Sequence, residues 1–196
     1  MKHFLAVLFV LALATTASAH PGHVTHDSAF HAGWVHPFSG LDHILAMLAV
    51  GLLAGQRGGR AAWLLPASFI ASMIAGGLLA LGGMPIPLVE QGVVASVFIL
   101  GTCLMLAKPA PYSALLILPG LFGAFHGYAH VAEMQSGASL PTYAAGFILA
   151  TIMLHVAGVI GGLVARHLAP SRGGVTRFAG AAIATAGGIM LVTGSL

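Results

Sequence analysis

The chain alternates between long apolar segments and short polar breaks, and this pattern predicts its elements. Six apolar segments follow residue 36, and each is near the ~20 residues that a helix needs to cross a bilayer. Their expected limits are 37–56, 61–82, 88–107, 113–134, 142–166 and 177–195. Glycine, proline and polar residues typical of turns lie between them. The sequence therefore predicts an all-α, polytopic membrane protein with a six-helix transmembrane domain over residues 37–196.

Two further regions precede the predicted helices. Residues 1–19 combine a positive Lys2, an apolar core and the small residues Ala17-Ser18-Ala19, the pattern of a secretory signal peptide. We expect cleavage after this segment, and an uncleaved anchor helix is the alternative. Residues 20–36 then form a polar, flexible and exported lead that contains histidines.

Composition agrees with a membrane location. Of 196 residues, 58% are hydrophobic and 6% are charged, whereas a soluble domain carries about 25% charged residues. The seven Lys and Arg form no patch, so the lipid bilayer is an expected partner and nucleic acid is not. The single Cys103 excludes an intrachain disulfide framework.

Glycine recurs at a spacing of four within the apolar segments. The pairs are Gly51 and Gly55, Gly123 and Gly127, and Gly158 and Gly162. Such small-xxx-small spacing lets helix backbones approach closely in lipid. It predicts tight helix packing at these positions.

The basic residues predict the orientation of the helices. With an exported N-terminus, the loops after the first, third and fifth spans are cytoplasmic, and they hold every Lys and Arg of the mature chain. These residues are Arg57, Arg60, Lys108, Arg166, Arg172 and Arg177. Both mature termini are therefore expected outside the cytoplasm.

A few ionisable side chains lie inside the apolar segments, and they are the residues that say most about chemistry. Each costs about 2.5–3.5 kcal/mol on insertion scales, so it usually faces a cavity, a partner or a substrate. Imidazole and carboxylate groups at helical spacing are suited to a divalent transition metal. The candidate metal-binding residues are His36, Asp42 and His43, then His126, His130 and Glu133, and finally His155.

The first cluster is expected where the first transmembrane helix opens. A proline follows His36, and proline is tolerated in the first helical turn. His36 and His43 share a face if the helix is regular between them. Asp42 can act as a ligand or as an acceptor that fixes a histidine tautomer. The Ser-Gly pair at 39–40 is expected to loosen the helix and let the three groups converge.

The second cluster lies on one face of the fourth predicted helix. His126, His130 and Glu133 follow the spacing i, i+4 and i+7. At about 1.5 Å per residue, His126 is roughly 12 Å and His130 roughly 6 Å below the outer end of the helix. The first cluster also lies near the outer surface, so we expect the two clusters to form one site.

Other polar residues have more than one interpretation. His155 lies near the middle of the fifth span, where it is a candidate for the next stop inward or for a helix–helix hydrogen bond. Glu90 is expected to be a helix-start charge favoured by the helix dipole, not a ligand. Four histidines of the lead are candidates for metal capture. The alternative is that the lead is a solvated tail in which these histidines occur by chance. The four histidines are His20, His23, His26 and His31.

The two histidine motifs together resemble a known family. HPxxGxDH at the first span and FHGxAHxxE in the fourth, after a signal peptide, are similar to the HupE/UreJ family of bacterial nickel permeases. The resemblance covers essentially the whole mature chain. Val131 stands where glycine is expected in many relatives, which changes packing and leaves the ligands untouched.

The resemblance implies secondary uptake of Ni²⁺ across the bacterial inner membrane, for hydrogenase or urease. Some relatives transport Co²⁺, so that ion is the alternative cargo. It implies no organic cofactor and no enzymatic activity. The residues that match the family motifs are His36, Asp42, His43, His126, His130 and Glu133.

Two other classes of function remain open at this point. An intramembrane zinc hydrolase would hold three histidines and a carboxylate around a catalytic water, with Glu133 or Asp42 as base. A b-type haem protein would use axial histidines on facing helices. The sequence favours the transporter and does not indicate an oligomeric state.

Overall fold

Helices make up the regular structure of the described chain. The computed structural model describes residues 26–106, 111–134, 138–168 and 174–194, which fold into seven helices without a strand. The helices are α1 (His26–Ser39), α2 (Leu41–Arg57), α3 (Ala61–Leu81), α4 (Val89–Leu106), α5 (Tyr112–Ala132), α6 (Leu140–Leu168) and α7 (Gly174–Thr193). The all-α prediction is confirmed for this part of the chain.

Five helices, α3 to α7, are long and apolar enough to cross a membrane. A sixth span is formed if α1 and α2 are counted together, as a pair bent by 79°. Large apolar side chains such as Trp63, Ile117 and Val192 are exposed on the outside of the bundle, where lipid would cover them. The chain is a multi-pass membrane protein.

The first predicted span is wrong in its local structure. No helix opens at His36, because α1 continues through Pro37 to Ser39. The chain then breaks at Gly40, whose φ of −106° and ψ of 123° are extended. Proline removes a backbone donor, and glycine is the costliest ordinary residue to hold in a helix, so the break falls between two regular segments. His36 and His43 therefore lie on different helices.

The end of the expected flexible lead is also helical. α1 packs on α6, with Gly33 against the Tyr143 carbonyl and Gly146 against the Phe30 carbonyl. Its Ala29 is buried against the bundle. Several predictions fall outside the described residues: the signal peptide over 1–19, His20, His23, Lys108 and Arg172, and the side chain of His26.

The bundle is built from closely packed helix pairs. α3 packs most extensively on α5, α2 on α6, and α4 on α7. In the first pair, Gly127 lies against the Met73 carbonyl, and in the second, Gly51 lies against the His155 carbonyl. Lipid supplies no hydrophobic drive between helices, so close backbone contact and van der Waals packing hold such pairs. The tight packing predicted from glycine spacing is confirmed.

Two neighbouring glycines on α7 give a matched test of this packing. A Cβ at Gly187 would lie 2.5 Å from the Phe98 backbone nitrogen, whereas a Cβ at Gly188 would lie 3.7 Å from the Phe98 ring. We expect Gly187→Ala to destabilise the protein by about 1–3 kcal/mol through overpacking. Gly188→Ala should keep or raise stability, since alanine favours helix by roughly 1 kcal/mol over glycine.

The measurement is the temperature at which each variant in detergent loses its monodisperse size-exclusion peak. Gly187→Ala should lose this peak at a lower temperature than the parent protein. Equal temperatures for the two variants would contradict the close approach of α4 and α7.

Candidate metal site

The break at Gly40 places Asp42 and His43 in the first turn of α2. The Asp42 carboxylate accepts a 2.8 Å hydrogen bond from the His43 backbone N–H and lies 2.8 Å from the His43 Nδ1. An ionised carboxylate only accepts, so Nδ1 carries the ring proton. The Nε2 of His43 then offers a lone pair, and this buried atom has no hydrogen-bond partner among the described residues.

Backbone carbonyls hold two more imidazoles in the same way. The Nδ1 of His126 donates to the Phe122 carbonyl at 2.9 Å, and the Nδ1 of His155 donates to the Thr151 carbonyl at 2.8 Å. A carbonyl only accepts, so Nε2 is left unprotonated in each ring. Both Nε2 atoms are buried and without a partner in the described part of the chain. A fixed tautomer of this kind is typical of metal-binding histidines.

The two histidine clusters meet, as we expected from their similar predicted depths. The His43 ring centroid lies 4.9 Å from that of His126 and 4.4 Å from that of His130. The His36 ring lies 4.6 Å from His130 and 6.2 Å from His43. Three helices, α1, α2 and α5, therefore contribute to one cluster of four imidazoles.

The imidazoles contact one another edge to face. Among the described residues, no three His, Cys, Asp or Glu side chains are already arranged to hold a metal ion. A metal ligand nitrogen must lie about 2.0–2.1 Å from an ion such as Zn²⁺. Binding by several of these rings thus requires them to turn about their side-chain torsions toward a common point.

Glu133, the residue that follows α5, also contacts the cluster. Its Oε2 lies 3.3 Å from the Nε2 of His36, and 54% of its side chain is exposed. The hydrogen bond to His36 holds the pKa of Glu133 below its usual range and outweighs partial burial, which acts the other way. The carboxylate is therefore an anion at neutral pH.

A cavity of about 160 Å³ connects these groups to the surface. It is lined by His36, Asp42, His43, Glu90 and Glu133 together with small and apolar residues. Three of the four acidic residues of the chain thus surround one cavity. Glu90 lies in the first turn of α4, as predicted, but its place on the cavity wall was missed. Glu90 begins the third span, and the loop after that span was predicted to be cytoplasmic, so an outer position of Glu90 was the available signal.

His155 lies apart from the four-imidazole cluster. The fully buried ring of Phe69, on α3, has its centroid 5.2 Å from His126 and 5.0 Å from His155. The His155 Nδ1 bonds within its own helix, so the expected alternative of a helix–helix hydrogen bond is not observed for that atom. No sequence pattern distinguishes Phe69 from other core aromatic residues.

His31 also lies away from the cluster. Its side chain is exposed on α1, and it does not line the acidic cavity. The structure therefore brings together six of the predicted residues. It places His155 next to Phe69, outside the four-imidazole cluster, and leaves His31 on the surface.

Comparison with known proteins identifies the family of the chain. The chain matches the family described as HupE / UreJ protein over residues 8–191. It is 40% identical over 185 residues to Protein HupE of Rhizobium leguminosarum bv. viciae, covering 94% of this chain and 95% of that relative. No solved structure matches the chain. With two histidine motifs that meet in one cluster, this multi-pass membrane protein belongs to the HupE/UreJ family.

Proposed function

We propose that the protein is a secondary transporter that imports Ni²⁺ across the bacterial inner membrane. The observation that carries the proposal is the cluster of four imidazoles beside an acidic cavity, within a bundle of membrane helices. Mixed imidazole and carboxylate groups suit a divalent metal of this class. Membership of the family supports transport rather than catalysis as the activity.

The proposed entry is the acidic cavity. Asp42, Glu90 and Glu133 line it, and a cleft lined by one sign of charge concentrates counter-ions. The groups that replace water molecules around the ion belong to the cavity wall and to the imidazoles behind it, and they are His36, Asp42, His43, His126, His130 and Glu133. We further propose that the ion then passes Phe69 and reaches His155.

The direction of transport is proposed from charge. Asp42 and His43 lie at the start of α2, and at its other end the Arg166 side chain donates to the Arg57 carbonyl at 3.3 Å. Basic residues favour the cytoplasmic side, so the cavity faces the periplasm. Both mature termini are then periplasmic after removal of the signal peptide. The histidines proposed for metal capture on that side are His20, His23, His26 and His31.

Nickel is the proposed cargo, and Co²⁺ is the alternative. The usual affinity order for nitrogen and oxygen ligands rises from Co²⁺ through Ni²⁺ to Cu²⁺. We therefore expect Cu²⁺ to bind the purified protein at least as tightly as Ni²⁺. Selective transport then depends on the coordination geometry that the turning imidazoles allow.

Histidine substitutions test the site directly. His130→Ala and His43→Ala each remove a buried imidazole of the cluster, so nickel uptake should fall to the level of cells that lack the protein. His167→Ala is the matched control, because His167 is exposed in the last turn of α6. The measurement is radiolabelled Ni²⁺ uptake in cells without their own nickel importer, with Co²⁺, Zn²⁺ and Cu²⁺ as competitors.

Protein amounts in the membrane are matched by immunoblot before uptake rates are compared. Full uptake by both cluster variants at equal amounts would refute the assignment of the site. Equal inhibition of uptake by Co²⁺ and by unlabelled Ni²⁺ would refute nickel as the preferred cargo.

The position of Gly40 provides a second test. A Cβ there would lie 2.5 Å from the Asp42 Oδ1 and 2.9 Å from the His43 Nδ1, while the extended backbone accepts alanine. We expect Gly40→Ala to weaken Ni²⁺ binding about 10- to 100-fold, as when a group that orients a metal ligand is lost. Calorimetry on protein in detergent measures the affinity. Gly188→Ala should bind as the parent protein does, and an unchanged affinity of Gly40→Ala would contradict the role of the Asp42–His43 pair.

A further inference from the structure

Arginine side chains collect at one end of the bundle, around the turn between α2 and α3. The Arg166 side chain donates to the Arg57 carbonyl at 3.3 Å, and a Cβ at Gly58 would clash with its guanidinium group. Arg60 lies on the same turn, directly before α3. The exposed guanidinium group of Arg166, from the end of α6, is therefore brought beside the turn that carries Arg60.

Arg177, on α7, is held at the same end of the bundle. Its Nε donates to the Met105 carbonyl, near the end of α4, at 3.1 Å. The residue before it, Thr176, accepts a 2.9 Å hydrogen bond from Gln56, near the end of α2. Helices α3, α6 and α7 thus contribute one exposed arginine each to a common surface. We call this the arginine surface, and its residues are Arg60, Arg166 and Arg177.

The acidic residues of the chain lie elsewhere. Of the four in the sequence, Asp42, Glu90 and Glu133 surround the acidic cavity, and Asp27 is in the first turn of α1. The acidic cavity and the α2–α3 turn are at opposite ends of α2, roughly 22 Å apart at 1.5 Å per residue. This separation exceeds the screening length of about 8 Å in physiological salt. A counter-charge for the arginine surface must therefore come from another molecule.

Exposed aromatic side chains flank the arginine surface. Trp63 is 62% exposed, one helical turn after Arg60, and Phe178 is 63% exposed, directly after Arg177. Tryptophan is enriched where a membrane helix meets the headgroup layer. The arginine surface therefore lies at the level of lipid headgroups, and apolar side chains lie on its membrane side.

We propose that the arginine surface binds the phosphate groups of anionic phospholipids in the leaflet opposite the acidic cavity. Guanidinium groups bind phosphate oxygens through paired, charge-assisted hydrogen bonds. The acyl chains of the bound lipid then lie along α3 and α7, beside Trp63 and Phe178. This inference goes beyond the proposed function, because it requires no metal ion.

Binding of phosphatidylglycerol to the purified protein in detergent tests the proposal. Native mass spectrometry counts the bound lipids and gives their dissociation constants, with zwitterionic phosphatidylcholine as the comparison lipid. The parent protein should bind phosphatidylglycerol more tightly, and this preference should weaken as the salt concentration rises. Equal affinities for the two lipids would overturn the proposal.

Arg60→Gln and Arg166→Gln locate the binding site. Each removes one charge from the arginine surface, so the affinity for phosphatidylglycerol should fall about five-fold in each variant, the usual contribution of one basic residue at an anionic membrane surface. Arg60 forms no side-chain capping bond for α3, so Arg60→Gln is informative even if Arg166→Gln does not fold. An unchanged affinity of Arg60→Gln would overturn the proposal.

Gln91→Glu is the matched control for net charge. It lowers the net charge by the same amount at an exposed residue in the first turn of α4, at the other end of the bundle. Its affinity for phosphatidylglycerol should equal that of the parent protein. A five-fold loss in this variant would overturn the site, since net charge alone would then explain the binding.

Inorganic phosphate separates a lipid site from a general anion site. At a concentration equal to that of the lipid, phosphate should not displace phosphatidylglycerol, because it lacks the acyl chains that contact the helices. Complete displacement would overturn the proposal of a lipid. No metal is added in these experiments, so their failure leaves the proposed nickel transport unaffected, and a failure of nickel uptake leaves the lipid preference unaffected.

Discussion

A buried imidazole in a membrane bundle must satisfy its ring N–H inside the protein, because lipid offers no acceptor. The carbonyl four residues earlier meets this need for His126 and His155, and the carboxylate of Asp42 meets it for His43. In all three rings Nδ1 donates the hydrogen bond, and Nε2 is left unprotonated. The same requirement thus leaves one unprotonated nitrogen on each of these rings, and His130 differs because neither of its ring nitrogens has a partner among the described residues.

The glycine contacts decide where these imidazoles can meet. They hold α3 against α5 and α2 against α6 at backbone distance, and α1 is held on α6 in the same manner. His36, Asp42 and His43 belong to the group that contains α6, whereas His126 and His130 belong to the group that contains α5. The four-imidazole cluster lies at the contact between these two groups. It is formed by side chains alone, and the backbone contacts of each group lie outside it.

Much of the site could be predicted from local spacing. The i, i+4 and i+7 positions of His126, His130 and Glu133 follow from helix geometry, and their depth followed from hydropathy and charge. The positions of Glu90 and Phe69 beside the site could not be predicted in this way. Each is an ordinary helix residue by sequence, and each reaches the site only because its helix packs beside α2 or α5.

The sequence by itself determined the class of fold, the approximate first and last residues of α3 to α7, and the chemistry of the buried groups. Insertion into a bilayer depends on hydropathy within one segment of roughly 20 residues, which is a local property. Only the tertiary structure decided the 79° bend at Gly40, the docking of α1 on α6 and the contact of Phe69 with both His126 and His155. These features depend on which helices pack against one another, and the spacing of residues within a single segment does not specify this packing.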